Sequence, residues 1–171
     1  MKYEIMGGHF DLEEHGLTIR DFEDAKDNRE RERLFIPIAE RILASEHFQQ
    51  VNRPDKSQSV PFDFIATRDQ KLALIEMKAA EDDSNYSSVV QFARLLGVSK
   101  KLEEKKTTPS LFLLQINLKY RVYQILTQQF YELVFRGAKE IIEKKPEIGR
   151  KQTIKPSLKA IEDYRDKYNK L

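Results

Sequence analysis

The sequence predicts an α/β domain built on a mixed sheet with helices on its faces, and three observations lead there. Two pairs of apolar, strand-length segments stand close together in the chain, at 60–66 with 72–79 and at 111–118 with 120–126. Segments with helical periodicity precede, separate and follow these pairs. The resulting order of helix, two or three strands, helix, two strands and further helices is that of a helix-covered sheet.

Each element has its own signal. Tyr3 to Met6 can form a short strand, with Gly7-Gly8 as a turn after it. From Asp21 to Glu46, Leu34, Phe35, Ile38, Ala39, Ile42 and Leu43 recur at helical spacing. Pro37 inside that run predicts a kink or a new start. Residues 47–51 fit a short strand, and the Asn, Pro, Asp and Ser of 52–59 mark a loop. A strand over Val60–Ala66, a polar turn and a strand over Leu72–Ala79 follow. A helix is expected from Ser84 to Glu104, ended by Thr107-Thr108-Pro109-Ser110. Leu111–Leu118 and Tyr120–Leu126 form a second hairpin. Gln128–Lys145 is an amphipathic helix, Pro146–Lys155 a basic linker, and Pro156–Leu171 a last helix with Pro156 near its first turn. Residues 1–145 therefore make one domain with its core at about 25–127, and 146–171 add the linker and C-terminal helix. In that helix Ile161, Tyr164, Tyr168 and Leu171 form a short heptad-like seam. Docking on the body is the expectation, with a dimer coil as the alternative.

Composition narrows the function classes. The 171 residues hold no cysteine, which removes disulfide scaffolds, zinc fingers, iron–sulfur sites and thiol catalysis. No apolar run approaches about 20 residues, and the N-terminus has no apolar signal core, so a cytoplasmic protein with no membrane partner is expected. Net charge is only +2 but is unevenly spread. Residues 1–99 carry 13 Lys and Arg against 19 Asp and Glu, whereas residues 100–171 carry 17 against 9. The basic half suits a polyanion, and solvated helix faces are the plainer explanation of it.

The chemistry concentrates in Pro61-Phe62-Asp63 and Ile75-Glu76-Met77-Lys78. Three other Glu-x-Lys triplets, starting at Glu103, Glu104 and Glu143, sit in charged helical stretches. The one at Glu76 interrupts an apolar strand. Strand side chains alternate, so Leu72, Leu74, Glu76 and Lys78 share one face, and Ala73, Ile75 and Met77 the other. A carboxylate and an ammonium buried there are costly unless paired or bound to an ion. A hairpin centred between Asp69 and Gln70 would set Asp63 directly opposite Glu76, with Cβ atoms about 5 Å apart. Two carboxylates that close repel, and a divalent cation turns the repulsion into a binding site. Oxygen-only ligands with waters retained suit Mg²⁺, with Mn²⁺ as a substitute. Lys78 would orient a metal-activated water or stabilise developing charge on a phosphodiester. The alternative is a buried salt bridge, Glu76 or Asp63 to Lys78, without chemistry. The two differ in stability terms: breaking a salt bridge by Asp63→Ala destabilises, whereas truncating one carboxylate of a metal site relieves repulsion.

These residues resemble the PD-(D/E)xK nuclease superfamily. The motif is split as Pro61-Phe62-Asp63 and Glu76-Met77-Lys78, with one residue between Pro and Asp and 13 positions from Asp to Glu. The element order is similar to the restriction-endonuclease-like αβββαβ core. Pro61–Ala66, Ile75–Ala79 and Val90-Gln91-Phe92-Ala93-Arg94-Leu95 are similar to the N-terminal nuclease domain of type I restriction motor subunits. The resemblance implies a metal-dependent nuclease acting on DNA, with Asp63 and Glu76 as metal ligands and Lys78 as the catalytic lysine. Gln91 is the implied counterpart of a glutamine near the scissile phosphate, although Leu95 stands where a tyrosine is expected. A further helix acid is implied, with Glu32 and Glu40 as candidates. Taking Leu34 as the origin, Glu32 falls at about 160°, inside the apolar arc, and Glu40 at about 240°, outside it, which favours Glu32. The chain has no phosphate-loop motif, so no motor is expected in it. A non-catalytic nucleic-acid-binding or assembly module on the same fold is the alternative.

Other features stand apart. Lys100, Lys101, Lys105 and Lys106 follow the helix that carries Gln91, and Lys144, Lys145, Arg150, Lys151 and Lys155 cluster near the C-terminal linker. All can contact phosphates. His9, Asp11, Glu13, Glu14 and His15 lack clean ligand spacing and fit a surface loop, and His47 fits a structural role. A double-strand cut needs two sites, which makes a homodimer plausible.

Overall fold

The computed structural model describes residues 5–55, 60–81, 89–104, 108–127, 140, 143–145 and 154–168. Its centre is a six-stranded mixed sheet. In chain order the strands are β1 (Ile5–His9), β2 (Gln49–Asn52), β3 (Phe64–Arg68), β4 (Lys71–Ala80), β5 (Ser110–Asn117) and β6 (Val122–Thr127). In space they run β1-β6-β5-β4-β3-β2. Every neighbouring pair is antiparallel except β4 and β5, which are parallel and joined through the helix α3 (Val89–Glu104). Parallel neighbours need such a crossover, and this one accounts for the helix between the two apolar strand pairs.

The hairpin β3–β4 has the expected centre. Asp69 and Gln70 both take positive φ, 51° and 61°, as a two-residue turn matched to strand twist requires. The register runs from Arg68↔Lys71 to Phe64↔Ile75. The glycines behave differently from the expectation of a turn. Gly7 and Gly8 lie within β1, paired with Gln124 and Tyr123 of β6. A Cβ on Gly7 would stand 3.1 Å from the Tyr123 carbonyl oxygen, and one on Gly8 3.0 Å from the Tyr123 hydroxyl. Close approach of β6, rather than chain reversal, explains both.

The first helical run divides into α1 (Ile19–Glu23) and α2 (Asn28–Ser45), because Asp27 caps the second by accepting from the Glu30 amide at 3.0 Å. Pro37 starts no new helix, and α2 runs through it. The carbonyl that Pro37 cannot serve belongs to Arg33, and both residues are exposed, so water can take the missing donor's place. Phe35, Ile38 and Ile42 of α2 pack with Ile75, Met77 and Leu114 on one face of the sheet. On the other face, Leu95 and Leu102 of α3 and Ile161 and Tyr164 of the C-terminal helix α4 (Ile154–Tyr168) pack with Leu74 and Leu113. Ile161 and Tyr164 thus dock the seam on the body, and the Tyr164 hydroxyl donates to the Gln50 carbonyl at 3.0 Å. Leu171, most of the helix expected over 128–145 and most of the linker over 146–155 lie outside the described residues. Among those described, no helix is long and apolar enough to cross a membrane.

Candidate functional site

β4 is central and buried, and it changes character at Glu76. Leu72 and Leu74 belong to the core beneath α3 and α4, and Ile75 and Met77 to the core beneath α2. Alternation puts Glu76 and Lys78 on the face that α3 and α4 cover. The Glu76 side chain is 12% exposed and that of Lys78 25%, and the Lys78 ammonium meets Glu76 Oε1 at 3.0 Å.

Asp63 comes immediately before β3, where regular pairing has ended. Its amide donates to the Ile75 carbonyl at 2.8 Å, although Ile75 is already the register partner of Phe64. Two successive residues therefore address one, as in a bulge. The expected direct opposition of Asp63 and Glu76 gives way to a different arrangement. Asp63 Oδ2 accepts from the Met77 amide at 2.8 Å, so Asp63 binds the β4 backbone on both sides of Glu76. Beyond the last paired residue of β3, the Met77 N–H would lack a ladder partner, and the carboxylate supplies one. A backbone donor leaves no trace in residue identity, so this bond had no sequence signal.

The Asp63 carboxylate stands close enough to Glu76 for its charge to act on it. Burial first, then the charge of Asp63, pushes the Glu76 carboxyl up to about 8 against the opposing pull of Lys78. Burial and the Asp63 charge thus favour the protonated form of Glu76 at neutral pH. Among the described residues no three His, Asp or Glu converge closely enough to hold a metal ion. A cation at this site would draw on two carboxylates and complete its shell with water and ligand oxygens.

The other expected residues are placed as follows. Glu32 is exposed near the start of α2 and lies 3.8 Å from Arg53, and Glu40 is also exposed. The helical phase of Glu32 gives only a direction around the helix. It cannot show that α2 covers the face opposite Glu76, or that its buried positions begin only at Phe35. Gln91 lies in the first turn of α3, the helix on the Glu76 face, and its side chain is outside the described residues. Lys100 is exposed and Lys101 pairs with Glu104 in the last turns of α3. That end of α3 leads within six residues to Ser110, level with Ala73, toward the far end of the sheet from Lys78. Lys105 and Lys106 are outside the described residues, as are Arg150 and Lys151, while Lys144, Lys145 and Lys155 are exposed. Asp11 Oδ1 accepts from the Glu13 amide, and Glu13–His15 form a single 3₁₀ turn. Sequence reasoning passed over Arg31, which pairs with Glu81 at 3.3 Å just past the end of β4.

No family model matches the chain, and no curated protein does either.

Proposed function

We propose that this chain is a metal-dependent nuclease that hydrolyses phosphodiester bonds, with DNA as substrate and Mg²⁺ as the metal. The observation that carries the proposal is the pair of acids Asp63 and Glu76 set against each other beside Lys78, at a strand otherwise built mainly of apolar residues. A proton held on one of two adjacent acids is what a divalent cation replaces, since metal ligands bind deprotonated. The element order α2-β2-β3-β4-α3-β5 supports the restriction-endonuclease-like αβββαβ reading.

Asp63 and Glu76 would hold the ion, which lowers the pKa of a bound water and offsets charge on the phosphodiester. Asp63 is kept in place by the Met77 amide. Lys78, now bound to Glu76, would turn its N–H donors toward the attacking water and the developing phosphoryl charge. Water oxygen forms the new bond to phosphorus, and the displaced ester oxygen leaves with a proton. Glu32 and Gln91 are supporting residues in this proposal, and the lysines of 100–106 are contacts to phosphates farther from the cut. A homodimer is the proposed assembly for a double-strand break.

The test is cleavage of supercoiled, linear and single-stranded DNA with Mg²⁺, Mn²⁺ or EDTA, beside Asp63→Asn and Lys78→Ala. Metal-dependent cutting lost in both variants is the expected result. A second reading, a purely structural network, is favoured by the internal satisfaction of Asp63 by the Met77 amide and of Glu76 by Lys78. Under it no substrate is cut and Mg²⁺ leaves the melting temperature unchanged.

A further inference from the structure

The parallel pairing of β4 and β5 brings their carboxyl ends to one edge of the sheet, where Ala80 lies beside Asn117 and the Leu118 amide donates to the Ala80 carbonyl at 2.8 Å. The turn between β5 and β6 therefore stands at the end of the sheet that carries Lys78, itself level with Gln115. From that level to Leu118 is about 10 Å along the strand. This distance is about three base steps of a nucleic acid.

The turn presents an exposed aromatic among cations. Tyr120 is 56% exposed, more than any other large hydrophobic among the described residues. The Lys119 ammonium lies over the Tyr120 ring, 5.2 Å from its centre. Arg121 follows, with φ of 55° and its guanidinium on the Leu118 carbonyl. The ring is displayed on a fixed support. The Tyr120 amide donates to the buried Asn117 side chain at 3.0 Å, and the Phe10 amide from the β1 side holds the Arg121 carbonyl at 3.0 Å. A water-facing ring on a fixed backbone suits stacking, and an adjacent ammonium suits a phosphate.

We propose that Lys119 and Tyr120 form a nucleic-acid contact at the candidate site's edge of the sheet, with Tyr120 stacking on an unpaired base and Lys119 meeting its phosphate. This rests on the nuclease reading and adds an unpaired base to its substrate. The chain has no tryptophan, so Tyr120→Trp creates a single fluorescent reporter at the turn. The probes are a 12-nucleotide single-stranded DNA and a blunt duplex of equal length, in EDTA at low salt. The single strand is expected to quench the Tyr120→Trp signal, and Tyr120→Ala to bind it about tenfold more weakly with an unchanged unfolding midpoint. Lys119→Ala should reduce the salt dependence of binding by about one counterion. Equal affinity of wild type and Tyr120→Ala, with no quenching, overturns the turn's role and points to a protein partner there. If that result comes from a protein that still cuts DNA with Mg²⁺, the nuclease reading survives. A wild type that neither binds nor cuts either DNA overturns both.

Discussion

Removing the Asp63 carboxylate separates two effects that have opposite signs. The first is loss of the hydrogen bond from the Met77 amide, 2.8 Å long and buried, since Met77 is only 7% exposed. An unpaired buried donor costs about 1–3 kcal/mol. The second is relief of repulsion with Glu76, which requires Glu76 to be ionised. With its carboxyl pushed up to about 8, Glu76 is mostly neutral at pH 6–7, and there is little repulsion to relieve. Truncation of the pair is therefore expected to relieve little repulsion near neutrality. Asp63→Ala should lose about 1–3 kcal/mol at pH 6.5. Asp63→Asn keeps an acceptor for Met77 and should lose less than about 1 kcal/mol. The sign depends on pH. A folded-state pKa raised above its unfolded value gives stability that is full below the unfolded value and is lost as pH rises through the folded one. Asp63 is one cause of that rise, so the wild type's advantage over Asp63→Ala should shrink between pH 6.5 and 9. Urea unfolding followed by circular dichroism, in EDTA at both pH values, gives the comparison. Two results refute the reasoning: Asp63→Ala as stable as wild type at pH 6.5, or Asp63→Asn as damaging as Asp63→Ala.

Three further outcomes are expected. Glu76→Gln, which keeps the shape of the protonated acid, should remove a component of the wild type's pH dependence. That component is a stability loss on the order of 1 kcal/mol per pH unit as pH rises from the unfolded value toward about 8. Denaturant titrations of both proteins at unit pH steps measure it. If Mg²⁺ displaces the Glu76 proton, calorimetry in buffers of different ionisation enthalpy should detect about one proton released per ion below pH 8, and none with Glu76→Gln. Ile161→Ala, at a position 1% exposed under α4, should cost about 2–5 kcal/mol of unfolding free energy, and Gly7→Ala about 1–3 kcal/mol, because its Cβ meets backbone rather than a movable side chain.

The hairpin was legible because its two constraints agree. Alternation fixes which residues of β4 share a face, and a two-residue turn at Asp69-Gln70 fixes the register. The seam of α4 was legible because Ile161 and Tyr164 repeat at helical spacing and have a core to meet. What stayed hidden depends on elements distant in sequence. Gly7 and Gly8 signal a turn by composition, and only the approach of Tyr123 shows why they stand in a strand. Glu32 shares an arc with apolar residues, but which sheet face α2 covers is a tertiary fact. The register arithmetic carried to Phe64 and stopped one residue before Asp63, where a bulge-like pairing begins. Such local irregularity commonly re-aims a side chain beside a site.

The same irregularity lessens the conflict between the structural and chemical readings of Asp63. In a regular ladder, a carboxylate beside Glu76 would add a second buried charge with nothing to hold it. Here the Met77 amide donates to the Asp63 carboxylate and lowers the cost of its burial, while the charge that persists keeps the proton on Glu76. Internal satisfaction therefore does not by itself distinguish scaffold from site, since a pre-organised ligand needs the same support. The distinguishing property is whether the Glu76 proton can be exchanged for a cation without loss of the fold. Asp63→Asn should retain the Met77 bond and lose the exchange. A melting temperature raised by Mg²⁺ in the wild type alone would then assign the pair to chemistry, and the same melting behaviour in both proteins would assign it to the scaffold.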